Sequence, residues 1–249
     1  QARRAAHWLR RCGLRQGSSV AIISGNCAHW IIADLAIWMA GHVSVPLHPK
    51  LSAESVAQIL EHSEAALVFV GKLDDWPAMS RGVRIGIPTI GLPVCLGDWQ
   101  FDFSWEELQA WTPIQDNPSG QPGQLATIVY TSGVTGAPKG VMQSFGALGF
   151  AATHGSLMFG LGEKDRLFSY LPLCHPAERM FVEMASIYGG QRVFFAQGRD
   201  TFLDDLKLAR PTALFGEPGI WTRFQMSVYK QLPPARLELL LGLPLIGQY

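Results

Sequence analysis

Short β-branched runs alternate with longer helical patterns from one end of the chain to the other. Val20–Ser24 predicts a strand, and the apolar spacing after it predicts a helix from about Ala28 to Ala40. Val43–Pro46 reads as short and extended. Ser52 is placed to cap a helix running to about His62, and Ala66–Val70 is a continuous apolar run of the buried-strand kind. Val83–Ile87 predicts another strand. Between Gly71 and Gly123 the density of Pro, Gly, Asp and Trp predicts irregular structure with one short helix near Ser104–Ala110. A second series starts with a strand at Leu125–Tyr130. A Gly-rich turn, a helix from about Ser144 to Phe159, a strand at Leu167–Leu171 and a helix at Pro176–Tyr188 follow. Arg192–Ala196 then reads as strand, Thr201–Leu208 as helix, Thr212–Phe215 as strand, and a helix follows Pro218. Strands separated by helices of this length predict an α/β fold with parallel-rich sheets and right-handed crossovers. The expected organisation is two packed α/β subdomains, 1–111 and 125–249, joined by a Pro-rich linker at 112–124.

Composition narrows the picture. Of 249 residues 48% are hydrophobic, ample for a core, and Lys plus Arg balance Asp plus Glu at 20 each. No basic field exists to attract nucleic acid. The charged fraction of 16% is low, which fits either a tightly packed α/β domain or apolar surface that belongs against another part of the same protein. Cys12, Cys27, Cys95 and Cys174 are scattered, without a Cys-x-x-Cys pair or a His cluster at ligand spacing. That argues for a reducing compartment and against a structural zinc site. No run approaches the ~20 apolar residues of a membrane span; the most apolar stretch, Ile31–Pro46, is broken by Asp34 and His42. Gln1 is not an initiator Met and opens directly on a helical pattern, so a start further upstream is expected.

The chemistry concentrates directly after the Leu125–Tyr130 strand. The segment Tyr130-Thr131-Ser132-Gly133-Val134-Thr135-Gly136-Ala137-Pro138-Lys139-Gly140-Val141 holds three Gly, three Ser or Thr and one Lys. Glycine permits tight turns and close approach of backbone to ligand. Hydroxyls and successive backbone N–H groups donate to phosphate oxygens, and Lys adds a compact positive charge. A purely structural turn would need one Gly and would gain nothing from the Lys. The segment predicts a polyphosphate-binding loop. It is not a Walker A loop, which requires Gly before the Lys and a hydroxyl after it. It has neither the Gly-x-Gly-x-x-Gly of dinucleotide sites nor a Gly-x-Ser-x-Gly elbow around Ser132.

This segment resembles, nearly residue for residue, the signature of the adenylate-forming superfamily of acyl-CoA synthetases, luciferases and peptide-synthetase adenylation domains. One position departs: Val134 stands where the family carries a hydroxyl. The resemblance implies that Thr131, Ser132, Gly133, Val134, Thr135, Gly136 and Lys139 hold the ATP phosphates, with Thr135 toward magnesium. The stretch from Asn26-Cys27-Ala28-His29-Trp30 to Val45-Pro46-Leu47 also looks like the family's early core, where a structural role is expected. Leu171-Pro172-Leu173-Cys174-His175-Pro176-Ala177-Glu178-Arg179-Met180 looks like the Leu-Pro-Leu-x-His-x-x-Glu-Arg segment of long-chain acyl-CoA synthetases, beside the acyl pocket. His175 and Pro176 are therefore expected against the substrate, with Lys139 and His175 as catalytic candidates. Against that stands a His that merely caps the helix. Glu178 and Arg179, at i and i+1, point apart and are expected to make separate structural contacts. The absence of an Asp for a substrate ammonium, with Met180, Phe181 and Met184 nearby, favours an apolar acid over an amino acid. Phe215–Phe224 matches the family's Val-Pro-Arg-x-Trp-x-x-Phe segment only in part, departing at Glu217 and Gly219; the alternative is a Pro-started helix burying Trp221 and Phe224.

The resemblance implies ATP-dependent activation of a carboxylic acid, a medium- or long-chain fatty acid, to an acyl-adenylate and then a thioester with coenzyme A, assisted by Mg2+. The family's later Tyr-Gly-x-Thr-Glu and Thr-Gly-Asp segments and its C-terminal catalytic Lys do not occur before Tyr249, so this stretch alone is expected to be inactive. Two alternatives stand beside the ligase: a non-catalytic nucleotide- or acyl-binding module of the same fold, and a ligase for aryl acids. An amidase using Ser132 lacks the Gly-Ser-Ser-Gly-Gly context. The expected partners are the acid, ATP and coenzyme A rather than nucleic acid, in the cytoplasm, with peripheral membrane contact and a homodimer as open options.

Overall fold

The computed structural model describes residues 1–131, 138–198 and 200–241. Helix α1 (Ala2–Arg11) buries Ala5, Ala6, Trp8 and Leu9, and carries Arg10 and Arg11 in its last turn, where the helix dipole favours cations. Strand β1 (Ser19–Ile23), helix α2 (Ala28–Ala40) and strand β2 (Val43–Leu47) follow. Helix α2 ends at Gly41, whose φ of 83° is the left-handed conformation a helix stop requires. Helix α3 (Ala53–His62) is capped as expected: Ser52 accepts a hydrogen bond from the Ser55 amide. Strand β3 (Ala65–Val70), a short helix α4 (Trp76–Ser80), strands β4 (Thr89–Gly91) and β5 (Phe103–Ser104), and helix α5 (Trp105–Gln109) complete the first series.

The strands sort their side chains by parity. Val20, Ile22, Leu67 and Phe69 pack on one face with α1, α2 and α5. Ala21, Ile23, Val68 and Val70 pack on the other with α3 and α4. A sheet covered on both faces needs continuous apolar strands, which is why β1 and β3 show no polar alternation.

The second series enters the same sheet. Strand β6 (Leu125–Thr131) runs parallel to β2, and β7 (Lys139–Ser144) returns antiparallel to β6. The sheet order is β5-β4-β3-β1-β2-β6-β7. The stretch 112–124, expected as a linker, therefore joins strands of one sheet, and Arg3, Arg4 and Arg10 of α1 bond residues within and beside it. Helix α6 (Phe145–Met158) follows, then strand β8 (Arg166–Ser169) and a helix that is α at Pro176–Glu178 (α7), π at Arg179–Met184 and α again at Ala185–Gly189 (α8). Strand β9 (Arg192–Phe195) pairs parallel with β8, and helix α9 (Phe202–Ala209) closes a compact unit that ends at Ala213. Helices α10 (Pro218–Gln231) and α11 (Pro234–Leu241) belong to a separate unit from Leu214 onward.

Four expectations need correction. Strand β7 lies where a turn was expected to lead straight into α6. Val83–Ile87 is a pair of turns rather than a strand: Ile87 N–H bonds Arg84 C=O at 3.1 Å, Gly86 has φ 95°, and Ile85 is fully exposed. The strands of that region are the shorter β4 and β5. Thr212–Phe215 is reduced to one bridge, Ala213 to Leu167. In α10 no residue is buried; Trp221 is exposed, with its indole N–H on Gly216 C=O at 3.0 Å.

Among the described residues no helix is long and apolar enough to cross a membrane. The four cysteines are free thiols. Phe150, Leu157, Met158 and Phe159 on or at the end of α6, and Met142 on β7, are exposed.

Candidate functional site

The candidate phosphate loop is the connection of the β6–β7 hairpin. Ala126, Thr127 and Val129 anchor β6 in the core, while Thr131 emerges exposed. Thr131 pairs across the ladder with Lys139, and Tyr130 with Gly140. Thr131 and Lys139 are thus held side by side, both open to solvent, at the two feet of the loop. Ser132, Gly133, Val134, Thr135 and Gly136 lie outside the described residues. Gly140 is required by close approach: a Cβ there would come within 2.8 Å of Ile128 Cγ2 and 3.2 Å of the Tyr130 ring. Beneath the loop, the Tyr130 hydroxyl lies 2.6 Å from His62 Nδ1 at the end of α3.

Because β1, β2, β3 and β6 are parallel, their carboxyl ends share one edge of the sheet, where open α/β folds bind ligands. Thr131, His48, Asn26 and Lys72 all lie on that edge. Asn26 draws the second sheet to it. Its side-chain amide donates to Ser169 Oγ at 2.8 Å and to Leu171 C=O, and its Oδ1 accepts from the Leu173 amide at 2.9 Å. The Leu-Pro-Leu turn is thereby fixed over the end of β1.

His175 follows that turn and is exposed. Its Nδ1 accepts from the Ala177 amide at 3.3 Å, capping α7, and Pro176 occupies the first helical turn, where a missing N–H costs nothing. With Nδ1 used as an acceptor, Nε2 is left as the ring position that can face a ligand. His48 is turned the same way, its Nδ1 accepting from the Lys50 amide at 3.1 Å. Burial pushes the His48 pKa down, and the charges of Lys50 and His175 push it further. Burial pushes the Cys174 thiol up to about 12, which disfavours the thiolate.

Below the edge sits a buried polar cluster. Arg179 donates from Nη1 to Thr127 Oγ1 at 2.7 Å, and from Nη2 to Asp34 Oδ2 and to Ser44 Oγ at 3.0 Å. Its Nε faces Glu183 Oε2 at 3.1 Å as an ion pair without hydrogen-bond geometry. The guanidinium also lies against Trp30 and Trp38, at 5.5 and 5.2 Å from the ring centroids. Burial opposes its charge, but Asp34 and Glu183 outweigh that and raise its pKa. Burial, then the Asp34 carboxylate, push the Glu183 carboxyl well up despite Arg179. Glu178 points elsewhere: its Oε1 accepts from the Tyr170 amide at 3.0 Å, and burial raises its pKa to about 7. The two residues make separate contacts, as their i, i+1 spacing requires.

Asn26, Ser44, Thr127 and Glu183 were not marked as site residues in the sequence. One usable signal was Arg179 and Glu183 at i, i+4 in an otherwise apolar helical run. Asp34 inside an apolar helix was a second, visible only as an interruption.

The chain is similar to known proteins in sequence and in fold. A long-chain-fatty-acid–CoA ligase from Gallus gallus is 31% identical over 242 residues, covering 89% of this chain and 32% of the relative. The chain spans about a third of the length of the curated relatives it matches. The solved structure of O-succinylbenzoate coenzyme A synthetase from Bacillus subtilis in complex with AMP superimposes with a TM-score of 0.70 at 26% identity, covering 94% of this chain and 56% of that one. The same enzyme in complex with ATP and magnesium ion gives a TM-score of 0.66 at 26% identity, covering 86% and 54%. A family model for AMP-binding enzymes matches residues 1–245, and the chain belongs to that family.

Proposed function

We propose that this chain contributes the ATP- and acid-binding part of an acyl-CoA synthetase that activates a medium- or long-chain fatty acid. The observation that carries the reading is the Thr131–Lys139 ladder pair, a hydroxyl and an ammonium side by side at the carboxyl edge of a parallel sheet. Among the described residues no carboxylate pairs with Lys139, so its charge is free for phosphate oxygens. This donor set fits a polyphosphate.

In this reading Thr131, Lys139 and the residues 132–136 between them hold the ATP phosphates. The fatty acid carboxylate attacks the α-phosphorus, pyrophosphate leaves, and the thiol of coenzyme A then displaces AMP. Two anions must meet in the first step. Lys139 offsets their charge while the hairpin fixes the phosphates in line. Thr135 is the residue we assign toward magnesium, which would supply further charge neutralisation when bound with ATP. His175 and Pro176 flank the acid from the opposite side, with His175 presenting Nε2. A cytoplasmic enzyme with peripheral membrane contact suits a substrate that partitions into lipid.

The aryl-acid reading draws support from the O-succinylbenzoate synthetase structures. The fatty-acid reading draws it from the long-chain ligases and from the apolar helix beyond His175. Carboxylate-dependent ATP–pyrophosphate exchange by the full-length protein separates them. Exchange that peaks with medium or long fatty acids supports the proposal. Exchange with aryl acids alone overturns the fatty-acid assignment. No exchange with any acid, despite ATP binding, points to a binding module.

A further inference from the structure

We infer that Arg179 is a positioning residue: it latches the β6–β7 hairpin to the parallel sheet and fixes it relative to His175. The inference rests on reading that hairpin as the ATP loop.

The ladder within the hairpin is long, and the ladder that joins it to β2 is short. Strands β6 and β7 register at six residue pairs, from Leu125–Ser144 to Thr131–Lys139. Strands β1 and β2 register at five. Between β2 and β6, by contrast, the ladder among the described residues registers at one pair, Ser44 with Thr127. The Arg179 fork lies on that pair. Nη1 bonds the Thr127 hydroxyl and Nη2 bonds the Ser44 hydroxyl, while Thr127 Oγ1 donates to Ser44 C=O at 2.8 Å. Thr127 and Ser44 are fully buried and Arg179 is 1% exposed, so water cannot replace these bonds. Asp34, Glu183 and the Trp30 and Trp38 rings leave the guanidinium plane no freedom. Lys, a point charge without the planar fork, cannot reach the same partners together.

The geometry makes the latch a lever. Thr127 lies four residues before Thr131 on one strand, about 13 Å at the usual rise. A tilt at Thr127 therefore carries Thr131 and Lys139 with it. His175 lies four residues before Arg179, one turn along the same helix. One side chain thus sets the position of both the phosphate feet and the acid-side imidazole. For two anions that must approach in line, a misplacement of about 1 Å can cost about a hundredfold in rate.

The test uses the full chain with Thr127→Val, which keeps shape and deletes the hydroxyl, Thr127→Ser, which restores the hydroxyl, and Arg179→Lys. Amide hydrogen exchange without ligands is read first. The latch requires exchange in 125–144 to rise about tenfold in Thr127→Val, to return in Thr127→Ser, and to stay unchanged in Ser19–Ile23. Steady-state ATP–pyrophosphate exchange is read second. Thr127→Val should raise the KM for ATP about tenfold with the KM for the acid within about twofold, and Arg179→Lys should lower kcat about tenfold or more while folded. A Thr127→Val protein with lowered Tm but wild-type hairpin exchange and wild-type KM for ATP overturns the inference, leaving Arg179 a structural residue only. Loosened hairpin exchange in a protein whose wild type activates no acid would uphold the latch and overturn the ATP reading instead.

Discussion

Arg179 and Asp34 meet as an ion pair from which water is excluded on every side, with side chains 1% and 0% exposed. Glu183 presses a second carboxyl on the same guanidinium. One cation faces two buried carboxyls, and burial together with the Asp34 carboxylate pushes the Glu183 carboxyl well up. The two acids are therefore expected to respond differently to amidation. Asp34→Asn leaves the buried cation without its partner and is expected to cost about 3–5 kcal/mol. Glu183→Gln supplies a neutral amide of the same shape, in place of a carboxyl whose ionisation burial disfavours, and is expected to cost less than about 1.5 kcal/mol. Urea denaturation of both variants near pH 7 checks the difference; equal losses would mean that Glu183 is ionised.

Glu178 gives a pH signature of its own. Its folded pKa is about 7 because burial disfavours the carboxylate, against an ordinary value of 4.5. The folded state therefore binds a proton more readily than the unfolded chain. Stability from this group is fully present below about 4.5 and is lost as pH rises through about 7, at up to about 1.4 kcal/mol per pH unit. Glu183 adds to the decline in the same sense. Glu178→Gln keeps the Oε1 acceptor for Tyr170 N–H and removes the ionisation. Its stability should fall less steeply from pH 5 to 7.5 than that of the wild type. A parallel curve would show that Glu178 does not titrate there.

The legible part of the sequence is the part governed by local pattern. Elements α2 and α3 follow from apolar spacing and the Ser52 cap, and β1 and β3 from continuous β-branched runs. The β6 strand follows from its apolar run. Strand β7 was invisible because Lys-Gly-Val-Met-Gln-Ser has neither clean alternation nor an apolar run, and its existence depends on pairing with β6. The same holds for β4 and β5, three and two residues long, which are strands only by virtue of their neighbours. In the site, Lys139 and His175 were legible as chemistry-bearing types in marked positions. Asn26, Ser44 and Thr127 were not, because each acts through partners more than 50 residues away.

Asn26 is the clearest of these. It donates two hydrogen bonds and accepts one across the gap between β1 and the turn at 171–173. Asn26→Asp has the same size but loses both donors and sets a carboxylate against the Leu171 carbonyl. A loss of about 2–4 kcal/mol is expected, together with a higher KM for the acid, since His175 hangs from that turn. Thermal unfolding and acid-dependent pyrophosphate exchange read the two effects. Full stability and an unchanged KM would remove Asn26 from the site.

Lys139 should behave oppositely. It is exposed, and its ladder bonds are made by backbone, so Lys139→Met is expected to change stability by no more than about 0.5 kcal/mol. If the ammonium serves the phosphates, ATP–pyrophosphate exchange should fall about a hundredfold or more, as for loss of one preorganised charge at the reacting centre. Lost stability with retained exchange would make Lys139 a hairpin residue and not a phosphate ligand.

His175 poses the sharper question, because two roles share one ring. Nδ1 caps α7, and Nε2 is the position we propose for the acid. Alanine removes both and cannot tell them apart; it is expected to cost about 0.5–1 kcal/mol and to lower activity. Asparagine separates them. Its carboxamide is among the best helix caps, so His175→Asn should hold the wild-type Tm within a few degrees. It carries no imidazole to present to the substrate. If His175 serves the acid, His175→Asn should resemble His175→Ala in pyrophosphate exchange while matching wild type in stability. If exchange returns with the cap, the imidazole is only a cap, and His48, the ring that follows β2 on the same edge of the sheet, becomes the residue to replace next.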